Sequence, residues 1–177
     1  KQNIGLTFDD VLIKPAYCDI DRSQINLNFK VTPNIDMQLP ILSAPMDTVT
    51  GAKMATAVAK AGGIGIIHRN LPVEKQIAQI KAVQKAGFQV SCALGIDDYD
   101  RAKKIIKATK IKVLVIDNAH AHQQKLEEQI AKIKKLGVDL IVGNIATAEA
   151  AMALIKAGAD SLKVGIGSGS ICKTRIE

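Results

Sequence analysis

The chain has 177 residues, 47% of them apolar and 23% charged, which suits one globular domain with a sizeable core. Aromatic residues make up only 3% and Trp is absent, so Ile, Val, Leu and Ala must fill the interior. The formal charge of +7 is spread over lysines of several helical segments with no aromatic interleaving, which argues against a nucleic-acid partner, and no apolar run of about 18 residues is present to span a membrane.

Lys1 to Gly5 lacks the apolar core of a signal peptide. Cys18, Cys92 and Cys172 are odd in number, far apart and without metal-ligand spacing, and the expected setting is a reducing cytoplasm. Residues 1–40 read as an irregular lead-in that caps one end of the fold. Phe8 to Ile13 suggests a short strand stopped by Pro15, and a second strand is expected near Gln24 to Val31, between positions punctuated by Pro33 and Pro40.

From residue 41 onward a regular alternation begins. Ile41 to Ala44 reads as a buried strand, Gly51 to Ala61 as an Ala-rich helix, and Ile64 to His68 as a strand. Pro72 opens a helix over Val73 to Ala86, whose apolar residues Val73, Ile77, Ile80 and Val83 recur at helical spacing. Strands follow at Gln89 to Leu94, Val113 to Ile116, Leu140 to Val142 and Leu162 to Val164. Helices are expected at Asp97 to Ala108, Gln123 to Leu136 and Ala148 to Ala157, the last capped by Thr147. Gly62, Gly87, Gly137 and Gly158 each end a helix, at intervals of roughly 25 residues or twice that.

A repeated strand–helix unit with nearly continuous apolar strands implies parallel strands with helices outside. The fold class is therefore α/β. The expected architecture is a (β/α)8 barrel over residues 41–177, with a doubly wound open sheet as the alternative. Only about six units are visible, and a typical barrel takes about 250 residues, so the barrel is incomplete and the chain is part of a longer one or a fragment.

In a parallel barrel the carboxyl ends of the strands share one face, and polar groups gather there. They are Ser43 to Asp47, His68-Arg69-Asn70, Asp117 to His122, Gly143-Asn144, and the Gly167–Thr174 loop. Asp117 suits ribose hydroxyls, or a helix cap; His68-Arg69-Asn70 suits a ligand or a stabilising role at the rim. His120 and His122 lack a neighbouring carboxylate motif, which disfavours zinc. The loop carries Gly165, Gly167 and Gly169 and presents Cys172 with a cation and a hydroxyl beside it, a setting that favours a nucleophilic thiolate. Gly165-Ile166-Gly167 hints at a dinucleotide fingerprint, but Ser170 stands at the sixth position and no periodic helix follows.

Several stretches together resemble the inosine-5′-monophosphate dehydrogenase family: Leu6-Thr7-Phe8-Asp9-Asp10-Val11-Leu12, Ser43-Ala44-Pro45-Met46-Asp47-Thr48-Val49-Thr50, Gly62-Gly63-Ile64-Gly65-Ile66-Ile67-His68, Gly143-Asn144, and Lys163 to Cys172. The resemblance covers essentially the whole chain. It implies NAD-dependent oxidation of IMP to XMP in guanine nucleotide synthesis, through a thioimidate on Cys172, with Thr174 handling the hydrolytic water. It places Ser170 at the IMP phosphate, Met46, Asn144 and Gly169 at the substrate, and Asp117, Asn118 and Ala119 at the dinucleotide. It further implies a potassium site made by the carbonyls of Gly167, Gly169 and Cys172, and a homotetramer.

The sequence departs from the family pattern at Ala121 and Gln123, where glycine and a hydroxyl residue are usual, and at Lys173. Lys85-Ala86-Gly87 passes directly into the next strand, where the family usually carries a tandem regulatory module, and the last two strands and the mobile flap do not appear. The alternatives are guanosine monophosphate reductase, acting on GMP with NADPH, and an inactive fragment that still binds nucleotide.

Overall fold

The computed structural model describes residues 6–169, 172 and 173. Two short strands, β1 (Phe29–Thr32) and β2 (Ile35–Met37), form an antiparallel hairpin. A six-stranded parallel sheet follows: β3 (Leu42–Ser43), β4 (Ile64–Ile67), β5 (Val90–Leu94), β6 (Val113–Asp117), β7 (Asp139–Ile145) and β8 (Ser161–Val164). Helices α1 (Ala52–Lys60), α2 (Val73–Lys85), α3 (Tyr99–Thr109), α4 (Gln124–Lys134) and α5 (Ala148–Ala157) fill the connections. Spatial order equals chain order from β3 to β8, without the reversal that a doubly wound sheet would show. The sheet is a curled half-barrel, an incomplete (β/α)8 barrel.

Alternation along the strands divides the core in two. Cys92 and Leu94, Leu114 and Ile116, and Leu140 and Val142 pack outward against the helices. Ile64, Ile66, Ala93, Val113, Val115 and Ile141 pack on the concave side against Val31, Ile35 and Met37 of the hairpin. Gly65 lies under α1 so closely that a Cβ there would come within 2.3 Å of the Ala55 Cα, so this crossing requires glycine.

The hairpin closes the amino-terminal end of the sheet. Asp139, the first residue of β7, accepts hydrogen bonds from Thr32 Oγ1 (2.6 Å) and Asn34 Nδ2 (2.9 Å). Burial raises this carboxyl, but the bonds from Thr32 and Asn34, with the nearby Lys134 charge, outweigh it and hold its pKa below the usual carboxylate value.

The helix ends follow the glycine signals. Gly62, Gly87, Gly137 and Gly158 all have positive φ, and α3 closes instead on Lys110 in the left-handed region, which accounts for the doubled interval. Thr147 caps α5 by accepting from Ala150 N at 3.2 Å.

Three expectations for the lead-in and first strand are corrected. Phe8–Asp10 is a 3-10 turn, not a strand, because the Asp10 carboxylate accepts from both N and Oγ1 of Thr7 and bends the chain. The strand expected near Gln24 begins only at Phe29, after a second 3-10 turn at Arg22–Gln24, and its partner β2 was not anticipated. The buried strand expected over Ile41 to Ala44 shrinks to Leu42–Ser43, with Ile41 half exposed, since β3 is an edge strand. Among the described residues no helix is long and apolar enough to cross a membrane.

Candidate active site at the carboxyl ends of the strands

Above the concave apolar layer, the inward register on β4, β6, β7 and β8 continues to His68, Asp117, Gly143 and Lys163. Asp117 pairs in register with Gly143, and Gly143 with Lys163. The Lys163 Nζ reaches across to Asp117 Oδ1 and forms an ion pair, with both side chains about two-thirds buried. Gly143 makes this reach possible: a Cβ there would come within 2.5 Å of the Lys163 Cβ. The sequence singled out Asp117 but gave Lys163 no role, because its role depends on strand register and a missing side chain between the two charges.

The loop after β6 is sewn to the end of β7 by backbone bonds. Asn118 N donates to Gly143 O (2.8 Å), Asn144 N to Asn118 O (2.6 Å), and Ala121 N to Asn144 O (2.9 Å). Ala121 is fully buried in the apolar core, so the Cβ that replaces the usual glycine is packed inside. Gln123 donates to His120 O (2.8 Å), as does the Asn118 amide (2.5 Å), and these close the loop before α4. Ala119 is exposed. The His120 and His122 rings stand 6.4 Å apart, and no group of three metal-ligating side chains occurs among the described residues. Asn144 Oδ1 is buried with no hydrogen-bond partner among the described residues.

At the end of β4, His68 is buried and its Nδ1 also lacks a partner among the described residues. Below it, the fully buried Gln76 of α2 donates to His68 O (2.9 Å) and Ala93 O (3.0 Å), and its own carbonyl accepts from Arg101 Nε (2.9 Å). Arg101 also donates to Arg69 O (3.1 Å) and Leu71 O (2.7 Å). This network fixes the His68–Leu71 backbone, while the Arg69 and Asn70 residues are exposed. Sequence reasoning missed Gln76 and Arg101. The available signal was an amide at a core position of the Val73, Ile77, Ile80, Val83 stripe.

After β3 the chain folds into a turn. Thr50 Oγ1 donates to Ala44 O (2.6 Å), and Val49 N and Thr50 N both donate to Met46 O. Met46 itself is half exposed on the rim.

The glycine loop leaves β8 with Gly165 at φ +118°, where its N–H donates to Ile145 O (2.7 Å). Gly167 also has positive φ, and among the described residues nothing approaches within 4 Å of the position a Cβ would occupy on Gly169. Ser168 O accepts from Phe8 N (3.0 Å). Cys172 and Lys173 are exposed. Ser170 and Thr174 lie outside the described residues. A cavity of about 750 Å³ lies at the opposite end of the sheet, lined by Asn34, Lys110, Leu136 and Asp139 among others. Six strands enclose only part of a ring, so the rim at their carboxyl ends is open on one side.

Residues 5–177 match the family model described as the IMP dehydrogenase / GMP reductase domain. The chain belongs to the IMP dehydrogenase / GMP reductase family. A relative from Cryptosporidium parvum named inosine-5′-monophosphate dehydrogenase is 35% identical over 216 residues, covering 97% of this chain and 54% of its own length. One of the same name from Borreliella burgdorferi is 37% identical over 226 residues, covering 97% and 56%. A third, from Aquifex aeolicus, is 29% identical over 303 residues, covering 97% and 62%. The chain thus spans about half the length of the first two relatives.

Within this member of the IMP dehydrogenase / GMP reductase family, one end of the sheet gathers the turn holding Met46, the half-buried Asp117, Asn118 and Asn144, and the start of the cysteine loop. Those groups come from β3, β6, β7 and β8, and only the parallel fold brings them to one rim.

Proposed function

We infer that the whole protein oxidises IMP to XMP with NAD as hydride acceptor, within guanine nucleotide synthesis in the cytoplasm, and works as a homotetramer. The observation that carries this reading is the exposure of Cys172 on the loop leaving β8, at the end of the sheet that also holds Asp117 and Asn144. Family membership and relatives named for this activity support it.

The Cys172 thiolate adds to C2 of the purine, forming a C–S bond. Bound NAD supplies the acceptor for the two-electron hydride leaving C2. A thioimidate on Cys172 remains, and water adds to C2 and expels the thiol, giving XMP. Splitting oxidation from hydrolysis is what the covalent bond contributes. Thr174 is assigned to the hydrolytic water and Ser170 to the phosphate. Met46, Asn144 and Gly169 line the substrate pocket, and the unpartnered Asn144 Oδ1 suits a donor on the nucleotide. Asp117, Asn118 and Ala119 hold the dinucleotide, and a ribose hydroxyl there meets a carboxylate already paired with Lys163. The carbonyls of Gly167, Gly169 and Cys172 are assigned to potassium.

The Cys172→Ala variant is expected to keep IMP binding by calorimetry and to lose turnover by several orders of magnitude, on the order of 10³-fold or more. Unchanged turnover overturns the reading. Reduction of GMP with NADPH, in place of IMP oxidation, would assign the protein to the reductase branch.

A further inference from the structure

Residues 11–30 are exposed throughout, and between residues 6 and 30 only Thr7 is buried. At that point the chain makes a tight 3-10 turn. Asp10 Oδ2 accepts from Thr7 N and from Thr7 Oγ1, both at 2.8 Å, and Asp10 N donates to Thr7 O at 3.1 Å. The N–H groups of a first helical turn have no partner inside the turn. One of them, Phe8 N, donates to Ser168 O at 3.0 Å, in the loop that leads to Cys172.

Among the described residues, two backbone hydrogen bonds therefore hold this part of the loop. Gly165 N is bound to Ile145 O at the end of β7, and Ser168 O is bound to the amino-terminal turn. Gly165 at the first anchor and Gly167 between the two have positive φ, and their backbone freedom would otherwise let the loop adopt many paths. We propose that the Thr7–Asp10 turn is a positioning element for the cysteine loop: by fixing the Ser168 carbonyl through Phe8 N, it sets where the Cys172 sulfur meets the purine. This inference rests on the reading of Cys172 as the nucleophile. The turn acts through the path of the loop.

The test compares Phe8→Pro with Phe8→Ala in the whole protein. Both remove the same largely exposed ring, and only proline removes the N–H. Proline suits the first position of the turn, and Thr7 has the extended backbone (φ −112°, ψ 172°) that a residue before proline adopts. Phe8→Ala is expected to stay within about twofold of the unsubstituted protein. Phe8→Pro is expected to lower kcat about tenfold, with KM for IMP within about threefold, since a mispositioned nucleophile slows chemistry more than binding. Alkylation of Cys172 by iodoacetamide, followed by peptide mapping, is expected to change at least about threefold in Phe8→Pro alone.

Equal kcat and equal alkylation in the two variants overturn the proposal. Where Phe8→Pro fails to fold, Asp10→Ala frees the turn and leaves the Phe8 N–H in place. It is expected to lower kcat, with Asp10→Asn restoring it; no effect of Asp10→Ala likewise overturns the proposal. Cys172→Ser separates the two layers. Turnover in that variant removes the nucleophile reading itself, whereas an inactive Cys172→Ser with indistinguishable Phe8→Pro and Phe8→Ala removes only the positioning role.

Discussion

Cys92 lies on β5 with no exposed surface, and burial pushes its thiol up to about 12 even though the Arg101 charge pulls the other way. Cys18 and Cys172 are exposed. Iodoacetamide at pH 8 is therefore expected to label Cys18 and Cys172 in the folded protein and to reach Cys92 only after denaturation. Peptide mapping reads this directly, and rapid labelling of Cys92 in the folded protein would contradict its burial. Gln76 makes a different demand. Its amide joins two strand-end carbonyls to the Arg101 guanidinium, so Gln76→Leu leaves His68 O, Ala93 O and Arg101 Nε short of partners. The expected loss is about 2–4 kcal/mol of stability, read from urea unfolding. Asp117 and Asn144 were legible in the sequence because polar residues closing apolar strands stand out. Lys163, Gln76 and Arg101 were not legible. Lys163 depends on the gap at Gly143, Gln76 is embedded in an apolar helical stripe, and Arg101 looks like any cation on an amphipathic helix.

The β1–β2 hairpin is fastened to the sheet through Asp139, whose carboxylate has three bonds from Thr32 and Asn34. Its folded pKa is lowered relative to the unfolded chain, so this contribution is complete above the ordinary carboxylate value and fades as pH falls through the lower folded value. Asp139→Asn keeps one acceptor and loses the charge. It is expected to cost about 1–3 kcal/mol near neutral pH, with the gap from the unsubstituted protein narrowing below about pH 4. Urea midpoints measured from pH 6 to 2 test this; a gap that widens in acid would mean the carboxylate is not what holds the hairpin. The helices and central strands were readable from glycine caps and apolar spacing, both local signals. The hairpin was not, since it is defined by a partner more than a hundred residues away. The strand expected at Phe8 failed because side-chain bonding between Thr7 and Asp10 won over the apolar run that follows.

Across the whole molecule, β3 and β8 are the two edges of an open six-stranded sheet, with Ile41 and Val164 exposed beside them. Unpaired parallel edges of this kind template further pairing. The 177-residue polypeptide on its own is expected to self-associate in sedimentation velocity at micromolar concentration, and a single monomeric species would count against open edges in solution. The repeated strand–helix unit made the parallel architecture legible, and the unreversed strand order then decided between a curled and a doubly wound sheet. The wedge formed by Val31, Ile35 and Met37 bears on all of this. It sits beneath the strands like the rivet of a folding fan, so the splay of the upper tips follows from packing at the base. Loops on the upper edge are then free to diverge in sequence while the spacing between neighbouring strand tips, and with it the Asp117–Lys163 span, stays set by apolar side chains at the far end of the sheet.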